Sequence, residues 1–131
     1  MLLSYAPMSA EKPYSIEMED REGYLWVLVG GEKLTAAIAA MYWNEIAEVC
    51  FEKGIDKILI EKDFPKAVGP EEMLQMAEHL GQLLPTRRIA FVDRHGNASI
   101  NELGKRLARN RDVMMQLFSD IHEAEKWLLA N

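Results

Sequence analysis

Within the stretch from Lys57 to Val92 the sequence runs Lys57-Ile-Leu-Ile60, then Gly69-Pro-Glu-Glu72, then Arg88-Ile-Ala-Phe-Val92. The two outer segments are short, apolar and rich in strand formers, as strands buried on both faces are. Between them, Pro70 suits the first position of a helix, and Glu71 and Glu72 fall in its first turn, where the helix dipole favours acids. Met73, Met76, Ala77, Leu80 and Leu84 then recur at helical spacing, and Pro85 stops the helix. Strands joined through a helix in this way are parallel, with a right-handed crossover.

The pattern repeats toward the C-terminus. Asp93-Arg-His-Gly-Asn97 is rich in turn residues, and Ser99 with Glu102 has capping-box spacing ahead of Ile100, Leu103 and Leu107. Val113-Met-Met-Gln-Leu-Phe118 reads as the last strand, and Asp120 with Glu123 offers a second cap before Ile121, Ala124, Trp127 and Leu128. Toward the N-terminus, Tyr14, Ile16 and Met18 alternate with polar residues, the period of an edge strand with one wet face. The turn Asp20-Arg-Glu-Gly23 leads into Tyr24-Leu-Trp-Val-Leu-Val29, so the two segments form an antiparallel hairpin. Thr35 is placed to cap a helix that ends near Lys53, with Gly54 just beyond it. The order ββαβαβαβα predicts an α/β domain with a mixed, mostly parallel sheet and an N-terminal antiparallel hairpin.

The helix after Thr35 has two apolar stripes. One is Ile38, Tyr42, Ile46 and Val49; the other is Ala39, Trp43, Ala47 and Cys50. A helix lying on a sheet needs one, so Ile38, Tyr42, Trp43 and Ile46 are a candidate interface with another protein or a second copy in a homodimer. The alternative is that both stripes pack inside one domain.

Length and composition bound the functions. The chain has 131 residues and a net charge of −6, enough for one domain and unfavourable for nucleic acid, whose phosphates attract basic surfaces. A single cysteine, Cys50, allows no intrachain disulfide and no cysteine-rich zinc site. No run of about 18 apolar residues suggests a membrane span. The first residues carry no basic charge ahead of a short apolar stretch, so a cytoplasmic location is expected, with residues 1–12 a tail and 13–131 a single domain.

Chemistry is sparse. Asp63, Asp93 and Asp120 fall at or just past strand ends, where open α/β sheets bind ligands, and could meet around Mg²⁺. Capping accounts for Asp120 and a turn for Asp93, so no metal is expected. Of His79, His95 and His122, only His95 sits in such a loop. Asp63, Asp93, Arg94 and His95 are therefore the candidate ligand or anion residues. Arg87, Arg88, Arg94, Lys105, Arg106, Arg109 and Arg111 make one third of the chain basic; helix-end complementation is the simpler account, an anion-binding patch the other. No Walker-type loop, nucleophile elbow or paired histidines are present, so neither enzymatic activity nor a cofactor is expected.

The element order, together with Ile58-Leu-Ile-Glu-Lys-Asp-Phe64, Arg88-Ile-Ala-Phe-Val-Asp93 and Phe118-Ser-Asp-x-x-Glu-Ala-x-x-Trp-Leu128, resembles the STAS-like, or SpoIIAA-like, families of small bacterial proteins. The likeness spans about Tyr14 to Leu129. It implies a β/α superhelix and a regulatory or protein-interaction role. Anti-sigma-factor antagonists of that kind switch by phosphorylation of a hydroxyl at the start of the helix after the third strand. Here residues 61–85 hold no serine or threonine, and Glu71 and Glu72 would repel a phosphate. A phosphoserine switch is therefore not expected. Lipid-binding CRAL-TRIO domains have a related core, so a small apolar or lipid-like ligand is the alternative, with Met73, Met76, Met114 and Met115 as adaptable lining.

Overall fold

The computed structural model describes residues 12–130. The expected tail lies almost entirely outside them. Five strands, β1 (Ser15–Arg21), β2 (Tyr24–Gly30), β3 (Lys57–Asp63), β4 (Arg88–Asp93) and β5 (Met114–Phe118), alternate after the first hairpin with α1 (Ala36–Lys53), α2 (Pro70–Leu83), α3 (Ala98–Arg109) and α4 (Ile121–Leu129). The order is ββαβαβαβα. The sheet runs β1-β2-β3-β4-β5, antiparallel in the first pair and parallel in the rest.

Strand period divides the residues between two layers. Leu25, Val27, Val29, Ile58, Ile60 and Ile89 face the core shared with α1, α2 and α3. Tyr24, Leu59, Ala90 and Val92 face α4, which contributes Ala124 and Leu128. Three helices thus cover one face and a single helix the other. In the hairpin, Gly23 has φ +91°, and a Cβ there would lie 2.8 Å from Leu129 Cδ2. Gly23→Ala is expected to cost about 1–3 kcal/mol, from the left-handed backbone together with the displaced Leu129; urea denaturation measures it.

The helix ends mostly follow the sequence. The Thr35 hydroxyl accepts from the Ile38 amide at 3.1 Å, and Glu72 from α2 accepts from the Ala36 amide at 3.1 Å. Gly54 closes α1 in the left-handed conformation, and Asp120 accepts from the His122 amide. α3 differs from expectation. It begins at Ala98, so Ser99 lies inside the first turn and no capping box forms; Asn97 occupies the cap without a side-chain bond to the helix. The side-chain Nδ2 of Asn97 donates instead to Asp93 Oδ2 at 3.2 Å, which ties the helix start to the end of β4.

The two stripes of α1 both pack within the chain. Tyr42, Trp43 and Ile46 are buried and Ile38 is half-buried. The interface expected on these residues therefore finds no exposed surface at Tyr42, Trp43 or Ile46. α1 packs on the sheet and beside α2, so it needs two apolar stripes to satisfy two neighbours: Tyr42 packs with Tyr14, Trp43 and Phe64, while Trp43 lines a small cavity together with Met73 and Met76 of α2. Cys50 is enclosed in the same layer, and burial pushes its thiol up to about 11, with Asp56 adding to the rise and Arg87 opposing it. A thiol-specific reagent near neutral pH is expected to leave Cys50 unmodified in the native protein and to label it once denaturant is added.

Both sheet edges are guarded. β1 carries Glu17, Glu19, Asp20 and Arg21, and at β5 Arg109 Nε donates to the Met115 carbonyl at 2.7 Å.

Candidate functional site

β3 runs three residues beyond the apolar segment read from sequence, and its extension Glu61-Lys62-Asp63 carries the polar chemistry of the molecule. Alternation sends Lys62 to the three-helix face and Glu61 and Asp63 to the α4 face. The neighbouring end of β4 adds Asp93, paired in register with Lys62, and the following loop adds Arg94 and His95.

On the three-helix face, Lys62 is 1% exposed. Its ammonium lies 3.6 Å from Asp93 Oδ2 and 3.4 Å from Asn101 Oδ1, with the Phe91 ring centroid at 5.3 Å. Asp93 is better provided for. Its Oδ2 accepts from Asn101 Nδ2 at 2.8 Å and from Asn97, and its Oδ1 accepts from the His95 amide at 2.8 Å. Burial alone would raise the Asp93 carboxyl, but the bonds from Asn101, the His95 amide and Asn97, with the charge of Lys62, hold it below the usual carboxylate range. Burial moves Lys62 below an ordinary lysine, and Asp93 opposes that shift.

A cavity of about 40 Å³ is lined by Lys62 and Asn101, by Tyr42, and by apolar side chains that include Met73, Met76, Leu80, Phe91 and Leu117. Outside it, a groove of about 370 Å³ opens along the ends of β4 and β5, bordered by Asp93, Ala98, Glu102 and Ser119. Phe91, Asn101 and Leu117 line both spaces and form the partition between them.

On the α4 face, His95 Nε2 meets Asp63 Oδ1 at 2.7 Å, and Arg94 reaches Glu61 Oε1 at 3.0 Å and Asp63 Oδ2 at 3.8 Å. Glu61 is buried, and its Oε2 accepts from Trp26 Nε1 at 2.7 Å. This layer is a web of paired charges.

Of the four candidate residues, then, Asp63, Arg94 and His95 come together, while the Asp93 carboxylate faces the other layer. Lys62, Asn101, Glu61 and Trp26 complete the two clusters and were not singled out by the sequence. Asp120 caps α4. His79 contacts Asn44 Oδ1 at 2.9 Å, and His122 lies in the first turn of α4. Among the described residues no group of three or more His, Cys, Asp and Glu side chains is arranged to hold a metal ion, and no helix is long and apolar enough to cross a membrane. Much of the basic segment is bonded to main-chain carbonyls: Arg87 to Pro85, Arg88 to Trp127, Arg109 to Met115 and Arg111 to Leu107.

A five-stranded sheet with an antiparallel first pair and this helix order is the SpoIIAA-like fold, and solved structures agree. The chain is similar to an anti-sigma factor antagonist from Mycobacterium paratuberculosis, with 13% identity, a TM-score of 0.61, and coverage of 90% of this chain and 96% of that one. It is also similar to an uncharacterised protein of the DUF3478 family with a SpoIIAA-like fold from Shewanella loihica, with 17% identity, a TM-score of 0.52, and coverage of 88% and 93%. No family model and no curated protein matches the sequence.

Proposed function

We propose that this protein is a noncatalytic regulatory module that acts by binding another protein. The observation that carries this reading is the likeness, across nearly the whole of both chains, to a protein described as an anti-sigma factor antagonist. The polar clusters are accounted for by internal pairing: Asp63 meets His95 and Arg94, and Asp93 is occupied by structural hydrogen bonds. With the apolar stripes of α1 buried, the partner meets surface other than Tyr42, Trp43 and Ile46.

The module does not operate as a phosphoserine switch. α2 begins after Gly69 with Pro70, Glu71 and Glu72, and no hydroxyl side chain lies between Glu61 and Pro85. Crosslinking in the native cell, followed by calorimetry with the purified partner, tests the main reading. A saturable complex that forms with equal affinity before and after treatment with kinase and ATP is expected. Turnover of a substrate by the purified chain, or stoichiometric phosphorylation within residues 61–85, overturns it.

A further inference from the structure

Lys62 carries three N–H donors into a buried site where its nearest acceptors, Asn101 Oδ1 at 3.4 Å and Asp93 Oδ2 at 3.6 Å, are loosely placed. Asp93 cannot move closer without loosening its bonds to Asn97, Asn101 and the His95 amide. The ammonium therefore keeps donor capacity, and Lys62 lines the cavity, whose other walls are apolar apart from Tyr42 and Asn101. A buried donor facing an apolar chamber is complementary to a molecule with one acceptor and a hydrocarbon body.

Charge narrows the class. Asp93 already balances Lys62, so a second anion would leave a buried negative charge uncompensated, and a cation would meet the ammonium. Size narrows it further: about 40 Å³ holds roughly three water-sized spheres. Met73, Met76 and Met115 are unbranched and can yield, and only the shared side chains of Phe91, Asn101 and Leu117 stand between the chamber and the outer groove at the carboxyl ends of β4 and β5.

We propose that this cavity, entered by movement of Phe91, Asn101 and Leu117 from the groove at the carboxyl ends of β4 and β5, binds a small neutral molecule whose single hydrogen-bond-accepting oxygen meets Lys62 and whose apolar body lies among Met73, Met76 and Leu80. The site is separate from partner docking, so either reading can fail while the other stands.

The test uses acetone as probe, read on the methyl signals of the full chain labelled at methionine. Acetone is expected to shift Met73, Met76 and Met115 saturably and to leave the exposed Met41 and Met114 still. Lys62→Met is expected to weaken acetone binding several-fold while leaving the entry of xenon, which has no acceptor, unchanged. A second variant does not touch the charge. In Gly104→Ala the new Cβ would stand 2.8 Å from Met73 Sδ, displacing that thioether toward the cavity, and both probes are expected to lose affinity while circular dichroism stays native. Shifts that never saturate, shifts shared equally with Met41 and Met114, or undiminished acetone binding by a folded Lys62→Met or Gly104→Ala chain overturn the proposal.

Discussion

Asp93→Ala is expected to lower the stability of the domain by about 3–5 kcal/mol, because it strips the paired carboxylate from a buried ammonium and leaves that charge uncompensated. The same change removes the acceptor for Asn97, Asn101 and the His95 amide, so the loop into α3 loses its tie to β4. Urea denaturation measures the effect, and a loss below about 1 kcal/mol would show that Lys62 is not held as a charge. Lys62→Met should make the two changes strongly non-additive: once the ammonium is gone, removal of Asp93 costs only its hydrogen bonds.

The pH dependence follows from the direction of each shift. Asp93 has a lowered value in the folded chain, so the unfolded chain takes up its proton first as acid is added. Its stabilising contribution is present above the ordinary carboxylate value of about 4 and disappears as pH falls through the lowered folded value. The gap between wild type and Asp93→Ala should therefore narrow in acid. Lys62 is lowered too, so between its folded value and the ordinary lysine value of about 10.4 the unfolded chain binds the extra proton and stability gains as pH rises. Lys62→Met should flatten that alkaline gain.

The second large effect is at Trp43, which is 3% exposed. Trp43→Glu removes a packed ring and introduces a carboxylate with no arranged partner, and is expected to cost about 4 kcal/mol or more. Unfolding, seen as loss of the circular-dichroism signal at ambient temperature, is the expected result. Met41→Glu on the same helix, at a side chain 40% exposed, should stay within about 0.5 kcal/mol of wild type. A folded Trp43→Glu chain that merely changed its mass in solution would restore the interface that the burial of this residue removes.

Alternation and helix punctuation made the fold legible. Pro70 at the start of α2, Thr35 and Asp120 as caps and Gly54 as a terminator are local devices, and each acts where its chemistry indicates. The stripes on α1 were legible as apolar but not by destination, because sequence spacing shows that a face must be covered without showing that α2 covers it. Ser99 and Glu102 have the spacing of a cap, yet the tie between Asn97 and Asp93 sets the start of α3 two residues earlier; that bond crosses from a loop to a strand end and has no sequence period. Asp63 and His95 were found because they lie at strand ends. Lys62 is hidden from a reading that ends the strand with the apolar run at Ile60. Carried two residues further, the alternation of Ile58 and Ile60 puts Lys62 on the buried layer, and a lysine there requires a carboxylate such as Asp93.

The arginine bound to the Met115 carbonyl also bears on how the molecule behaves in a crowd. β5, Met114-Met-Gln-Leu-Phe118, has no charge and no proline, so its free rim is the kind of template on which identical chains stack into fibrils. Arg109 occupies a main-chain oxygen that such stacking would need, and the acidic residues of β1 repel like copies at the opposite rim. A sheet so defended at both ends resists the addition of a further strand at either rim.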